Sequence, residues 1–239
     1  MKSGMSATIA SAQPDQRQES PILRSVFLAG PSGRIEAVVN EGAPDAPFSA
    51  LVCHPHPLGG GNLHNKVVYH AMKALNDPQW GLGLPVLRFN FRGTGLSEGT
   101  HDGLAESADV LAALAWLENE YKRPAVAVGF SFGAAMTVLA CCGHGKSTTN
   151  VRALIALGLP TRTKSQSFTY PSLHNCSLPK LFLSGDHDQF APAAQLVQVA
   201  ASAAEPKRLV LLPGADHFFT GHLAAMQSSL ACWLKERLS

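Results

Sequence analysis

Residues 126–135 read VAVGFSFGAA, an apolar run of strand type, then a Gly-x-Ser-x-Gly turn and the start of an alanine-rich segment. The five-residue motif alone occurs by chance, but a strand before it and a helix after it make it specific. Gly129 and Gly133 lack a Cβ, so the chain can turn sharply around Ser131. The Ser131 hydroxyl would then stand at a helix N-terminus, where backbone N–H groups favour developing negative charge. The pattern predicts that Ser131 is a nucleophile rather than part of a structural turn.

The segments around this motif alternate between strand-like and helix-like patterns. A hairpin comes first, with strands at 24–29 and 34–40 joined by a Gly-Pro-Ser-Gly turn. Further strands are predicted at 48–53, 85–91, 126–130, 151–157, 180–183 and 208–212, and helices around 67–75, 110–117, 134–141, 191–204 and 223–234. This order predicts an α/β fold, with a mostly parallel, doubly wound sheet and helices on both faces. We expect one domain, residues 21–239, after a flexible polar tail at 1–20.

Composition excludes several classes of partner. With 239 residues and a formal net charge of +2, the chain offers no electrostatic case for binding nucleic acid. No run of eighteen apolar residues and no signal-peptide core is present, so neither a membrane span nor export is expected, and we predict a cytoplasmic protein.

The five cysteines are odd in number and show no Cys-x-x-Cys spacing. They predict buried, small apolar side chains in a reducing cytosol rather than disulfides or a zinc site, and they are Cys53, Cys141, Cys142, Cys176 and Cys232. No cofactor is expected, and nothing in the sequence indicates an oligomeric state.

A serine nucleophile needs a base, and the base needs an orienting carboxylate. In an open parallel sheet these partners belong on loops at the carboxyl ends of later strands. His217 follows the last predicted strand, which fits the chain order Ser-Asp-His. Asp186 and Asp188 both follow an earlier strand, and we favour Asp188 as the acid, with Asp186 in a capping or supporting role. Asp216 is adjacent to the histidine and is therefore badly placed to orient its ring.

The segment after the strand at 48–53 reads HPHPLGGGN and predicts part of an oxyanion hole. The Phe132 N–H, next to the nucleophile, is one expected donor. Proline has no N–H, so Pro55 and Pro57 cannot donate, and we assign the second donor to the backbone of Leu58.

Two other interpretations of nearby residues are weaker. His54 and His56 could be metal ligands, but no third ligand and no cysteine pair accompany them, so no metal site is predicted. The glycine-rich stretch 93–99 is similar to a phosphate loop but lacks the Gly-Lys-Ser/Thr ending, and a tight loop pinned by Arg92 is the simpler interpretation.

Five segments together resemble the α/β-hydrolase superfamily, in particular a small, capless group of bacterial serine hydrolases. These segments read HPHPLGG, FNFRGTGLS, GFSFG, GDHD and DHFF, and the resemblance covers residues 22–238. It implies that Asp188, three residues after Gly185, is the acid and that His217, before the aromatic pair, is the base. Asn90 departs from the aspartate that many members carry there, but that position is structural in the family.

The stretch between Leu159 and Lys180, where lids of this superfamily usually lie, has only about twenty residues. That length cannot form a core of its own, so we expect an open, shallow site without a cap domain. The leading expectation is hydrolysis of a small carboxylic ester or thioester through an acyl-enzyme. A peptidase or amidase with the same triad, and a non-catalytic binding protein on a hydrolase fold, are the alternatives.

Overall fold

The computed structural model describes residues 22–80, 82–143, 150–163 and 166–238, and the predicted tail at 1–20 lies outside them. One eight-stranded sheet runs through these residues. Its strands are β1 Leu23–Gly30, β2 Gly33–Asn40, β3 Ser49–Cys53, β4 Val86–Phe89, β5 Ala125–Phe130, β6 Val151–Leu157, β7 Lys180–Gly185 and β8 Lys207–Leu212. Every predicted strand is present, with bounds that differ by a few residues.

The strand order in the sheet is β1-β2-β4-β3-β5-β6-β7-β8. The hairpin strands β1 and β2 pair antiparallel, and β2 is also antiparallel to β4. All pairs from β4 to β8 are parallel. The prediction of a mostly parallel sheet that begins with a hairpin is confirmed.

Helices cover both faces of this sheet. They are α1 Lys66–Asn76, α2 Glu106–Tyr121, α3 Phe132–Cys142, α4 Ala193–Ser202 and α5 Leu223–Leu238. Apolar residues of α1 and α5 pack on one face, and those of α2, α3 and α4 pack on the other. Successive side chains of a strand point to opposite faces. In the central strand β5, Val126 and Val128 therefore pack with α1 and α5, whereas Ala127 packs with α2, α3 and α4. The predicted doubly wound architecture is therefore confirmed.

The connection from β6 to β7 is short. Its described residues hold an isolated bridge between Arg162 and Ser167 and a single 3₁₀ helix, Pro171–Asn175. Nothing in these described parts has the size of a separate lid domain.

The cysteine prediction is wrong in two respects. Cys142, at the end of α3, forms a disulfide with Cys176, whose Cα lies 5.1 Å away. Cys232 is free but exposed, whereas Cys53 and Cys141 are free and buried as predicted. The disulfide joins residues 34 apart in sequence because the 3₁₀ helix after β6 packs beside the end of α3. Spacing rules for nearby cysteines do not detect a pair brought together in this way.

Within the described residues, no helix is both long and apolar enough to cross a membrane.

Candidate active site

Ser131 lies between the end of β5 and the start of α3, in a strained backbone conformation with φ 55° and ψ −119°. The neighbouring glycines are required by close backbone approach. A Cβ on Gly129 would lie 2.3 Å from the Gly133 carbonyl oxygen, and a Cβ on Gly133 would lie 2.5 Å from that of His54. Any larger residue would push the backbone apart, so the sharp turn depends on both glycines.

The three residues predicted for the triad are brought together by the carboxyl ends of β5, β7 and β8. The Asp188 carboxylate accepts a hydrogen bond from His217 Nδ1 at 2.8 Å. With the ring proton on Nδ1, the free His217 Nε2 accepts the Ser131 hydroxyl at 2.9 Å. Asp188 and His217 are each only 2% exposed, so the chain of hydrogen bonds is shielded from water.

Asp188 is held as a carboxylate by its partners. Burial opposes its ionisation, but hydrogen bonds from His217, from the Ser184 hydroxyl and from the Phe190 N–H outweigh burial and keep its pKa below the usual range. The Ala191 N–H is a fourth donor, at 2.9 Å. An ionised acid at this position favours the His217 tautomer that leaves Nε2 free.

The other two aspartates considered have different partners. Asp186 accepts the Gly214 N–H at 2.7 Å, so it braces the turn after β8. Asp216 accepts the backbone N–H groups of Phe218 and Thr220, which lower its pKa. The structure therefore places Asp188, and neither of these two, against His217.

Aromatic rings enclose the histidine. The ring centroids of Phe130, Phe190 and Phe218 lie 5.1, 4.7 and 5.2 Å from that of His217. Gly158, with φ 52°, lies on another side of the His217 ring, and a Cβ added to Gly158 would lie 3.2 Å from the imidazole. This packing restricts the ring to the orientation in which it reaches Ser131.

The loop after β3 lies against the start of α3, beside the nucleophile. The His56 ring packs on that of Phe132 at 5.0 Å between centroids. Leu58 is 82% exposed, and its N–H donates to His56 Nδ1 at 3.2 Å. By contrast, the backbone N–H groups of Phe132 and His56 have no hydrogen-bond acceptor within the described ranges. The N–H of His56 lies between Pro55 and Pro57, and the absence of an N–H on these two prolines does not exclude it as a donor.

His54 has no free ring nitrogen for a metal. Its Nδ1 lies 2.6 Å from the Pro55 carbonyl oxygen, and its Nε2 accepts the Phe91 N–H at 3.0 Å. Burial lowers the pKa of His54 to about 4, so the ring is neutral at pH 7. Across residues 22–80, 82–143, 150–163 and 166–238, no three His, Cys, Asp or Glu side chains cluster as metal ligands.

The glycine-rich loop that follows β4 is tied to α2. The Arg92 side chain and backbone N–H both donate to Asp109, and both of these side chains are buried. Beside this pair, Glu106 is fully buried, and His101 Nδ1 lies 2.6 Å from its carboxylate. Asp102 and Glu106 are four residues apart, whereas a capping box has a spacing of three, so the sequence carries no clear signal for this pair or for its contact with His101.

A surface cavity of about 500 Å³ lies apart from the triad, and none of the three triad residues lines it. Its walls come from α4 and the segment around Tyr170.

A family model for the alpha/beta hydrolase domain matches residues 49–231. The chain therefore belongs to the α/β hydrolases. It is 36% identical over 203 residues to an uncharacterized protein of Rickettsia prowazekii, a match that covers 81% of each chain.

Two solved structures are similar throughout the domain. An α/β serine hydrolase homologue from Coxiella burnetii superposes with a TM-score of 0.78 at 32% identity, covering 88% of this chain and 97% of its own. An α/β serine hydrolase without a lid, from Xanthomonas campestris, gives 0.74 at 28% identity, with coverages of 90% and 94%. The fold is thus an α/β-hydrolase fold without a lid, as the sequence predicted.

Proposed function

We propose that this chain hydrolyses carboxylic esters or thioesters of small molecules through an acyl-enzyme on Ser131. The observation that supports the proposal most directly is the hydrogen-bonded chain from Asp188 through His217 to Ser131. A neutral histidine that accepts a serine hydroxyl and is oriented by a buried carboxylate is the arrangement that activates serine as a nucleophile.

The proposed reaction has two halves. Ser131 Oγ attacks the carbonyl carbon while His217 Nε2 takes the hydroxyl proton, and the carbonyl oxygen becomes an oxyanion. His217 then gives that proton to the departing alcohol or thiol, which leaves the acyl group on Ser131. Water, activated by the same histidine, attacks the acyl-enzyme, and the acid is released. Asp188 stabilises the imidazolium in both halves without itself taking a proton.

The oxyanion would lie between α3 and the loop after β3. The Phe132 N–H is the first proposed hydrogen-bond donor to the oxyanion. The Leu58 N–H, predicted from the sequence, is the second. His56 N–H competes for the second role, since it has no acceptor whereas the Leu58 N–H already donates to the His56 ring.

Replacing Leu58 tests whether it can be excluded as the second donor, because Leu58→Pro also removes the N–H that contacts the His56 ring. Loss of one oxyanion donor costs about 2.7–4 kcal/mol of transition-state stabilisation. If Leu58 donates, Leu58→Pro lowers kcat accordingly, while the matched control Leu58→Ala, which keeps the N–H, is mild. If kcat of Leu58→Pro stays near that of Leu58→Ala, the donor is not Leu58, and His56 takes its place in the proposal.

An open site favours short acyl groups. Each methylene buried in an apolar groove would add about 0.8 kcal/mol to binding, but without a lid little apolar wall is available. We therefore expect kcat/KM for p-nitrophenyl esters to be highest for acetyl to butyryl groups and not to rise towards palmitoyl. A steady rise to palmitoyl would contradict the open-site proposal.

Amides are the main alternative substrates for the same triad. Amide cleavage depends more strongly on protonation of the leaving group by His217, so turnover of a p-nitrophenyl ester should far exceed that of the matched p-nitroanilide. Comparable turnover of the two would favour a peptidase or amidase.

A non-catalytic binding role is the other alternative. A folded protein that neither turns over esters nor reacts with a fluorophosphonate would favour it.

A further inference from the structure

Three rings form a mutual contact beside the nucleophile. The centroid of the His56 ring is 4.8 Å from that of His101 and 5.0 Å from that of Phe132, and His101 and Phe132 are 5.3 Å apart. Two of the three pairs meet edge to face, the geometry that aromatic pairs prefer. His56 belongs to the loop after β3 and Phe132 is the first residue of α3, so this cluster joins the two elements that flank the oxyanion position.

A buried carboxylate lies against the His101 ring. Glu106 is fully buried, and it accepts the backbone N–H groups of Asp102 at 2.9 Å and Gly103 at 3.0 Å. Its Oε1 also lies 2.6 Å from His101 Nδ1, in a side chain that is only 10% exposed. A buried carboxylate is costly unless it is paired, and Glu106 is paired with these two backbone N–H groups. The His101 ring lies in close contact with the carboxylate, although His101 Nδ1 makes no aligned hydrogen bond within the described residues.

The orientation of the His56 ring is fixed by one further contact. The Leu58 N–H donates into His56 Nδ1, so the neutral ring carries its proton on Nε2. Rotation of the ring would lose this hydrogen bond together with the packing on His101 and Phe132.

We propose that Glu106 and His101 are positioning residues for the oxyanion hole, because they hold the His56 ring against Phe132 and so set the distance between the loop after β3 and the start of α3. This inference rests on the proposed function, since it assumes that an oxyanion forms there. A misplacement of about 1 Å at such a position can cost up to a hundredfold in rate.

A helix-capping role for Glu106 is the simpler alternative. Glu106 lies in the first turn of α2, and its hydrogen bonds to Asp102 and Gly103 satisfy backbone donors there. If Glu106 only capped the helix, its substitution would lower the stability of the protein. It would not change how much more tightly the site binds the transition state than the substrate.

Two variants and one control separate these roles. Glu106→Gln removes the charge that faces His101, and His101→Phe keeps a ring but removes the nitrogen that faces Glu106. The control is Glu98→Gln, which removes an exposed carboxylate that pairs with Arg34 in the same loop region. Each protein is assayed for kcat and KM on a p-nitrophenyl ester, and for inhibition by a trifluoromethyl ketone and by the matching methyl ketone.

The positioning role predicts that kcat falls about tenfold to a hundredfold in both variants while KM stays within about threefold. The trifluoromethyl ketone, which adds to serine and forms an oxyanion, should lose affinity by a similar factor. The methyl ketone, which only occupies the site, should not, and Glu98→Gln should behave as wild type. Unchanged kcat in His101→Phe, or equal losses for both ketones, would overturn the proposal.

A measurement that does not depend on activity tests the same contact. Imidazole ¹⁵N shifts at neutral pH should show His56 as a single tautomer, protonated on Nε2, in the wild type and as a mixture in His101→Phe. An unchanged tautomer in the variant would overturn the positioning role. Failure of the proposed function itself has a different signature, because the wild type would then neither turn over esters nor bind the trifluoromethyl ketone tightly.

Discussion

Among single residues, Ser131 combines a strained backbone with a half-buried side chain whose hydroxyl reaches His217. A non-glycine residue at φ 55° and ψ −119° costs about 1–3 kcal/mol, which the surrounding structure must offset. The offset includes the Ser131 N–H bond to the Leu157 carbonyl oxygen at 2.9 Å and the glycine on either side of the turn. In this conformation the Ser131 hydroxyl does not cap α3 and is instead hydrogen-bonded to His217.

Asp188 and Asp186 provide a matched pair of substitutions. Asp188→Asn removes the charge that holds the His217 tautomer and should lower kcat about 10⁴-fold, because the ring can then present the wrong nitrogen. Asp186→Asn disturbs only the bond to Gly214 and should be far milder. Steady-state ester hydrolysis, with circular dichroism to verify folding, measures both. Greater damage from Asp186→Asn would contradict the assignment of the acid.

At the scale of elements, the loop after β3 depends on a neutral, buried His54. Its Nε2 accepts the Phe91 N–H, which links this loop to the end of β4. The same loop carries His56 and Leu58 beside α3. Protonation of His54 would therefore weaken a contact that supports the candidate site.

The protonation of His54 predicts a pH dependence of stability. The pKa of His54 is about 4 in the folded protein, against about 6.5 in an unfolded chain. Between these values the unfolded state binds more protons, so stability is full above pH 6.5 and falls by up to roughly 3 kcal/mol as the pH drops to 4. His54→Gln removes this dependence. The free energies of urea unfolding of the wild type and of His54→Gln, measured from pH 7.5 to 4.5, should approach each other at low pH. A difference between the two that does not change with pH would contradict the prediction.

Sequence periodicity was enough to predict the strands and helices, but it was not enough to predict every contact between them. β5 and the helix after it are recognisable because an apolar strand, a Gly-x-Ser-x-Gly turn and an alanine-rich run have no other consistent interpretation. The meeting of Ser131, Asp188 and His217 could also be predicted, since all three follow strands of one parallel sheet. The contact between His101 and Glu106 could not, because it depends on how the loop before α2 folds onto α3.

At the scale of the whole molecule, the disulfide ties the end of α3 to the segment that replaces a lid. Cross-linking residues 34 apart restricts the unfolded chain and stabilises the fold by up to about 4 kcal/mol. Cys142→Ser should therefore lower Tm by up to roughly 8–16 °C in a thermal melt under non-reducing conditions, since 1 kcal/mol shifts the Tm of a chain of this size by about 2–4 °C. Cys232→Ser, which removes an exposed free thiol, is the control and should leave Tm nearly unchanged.

The disulfide also predicts the behaviour of wild type under reduction. A reductant should shift its Tm to that of Cys142→Ser and should have no effect on that variant. If the reductant shifts both proteins equally, or neither, the disulfide does not contribute to stability in solution.

Covalent labelling tests whether Ser131 is the nucleophile. Wild-type protein treated with a fluorophosphonate should gain the mass of one phosphonyl group, and peptide mapping should place it on Ser131. Ser131→Ala should gain none and should lose about three to six decades of kcat for esters while remaining folded. A folded wild type that stays unlabelled, or a Ser131→Ala protein that keeps near-normal ester turnover, would show that Ser131 is not the nucleophile.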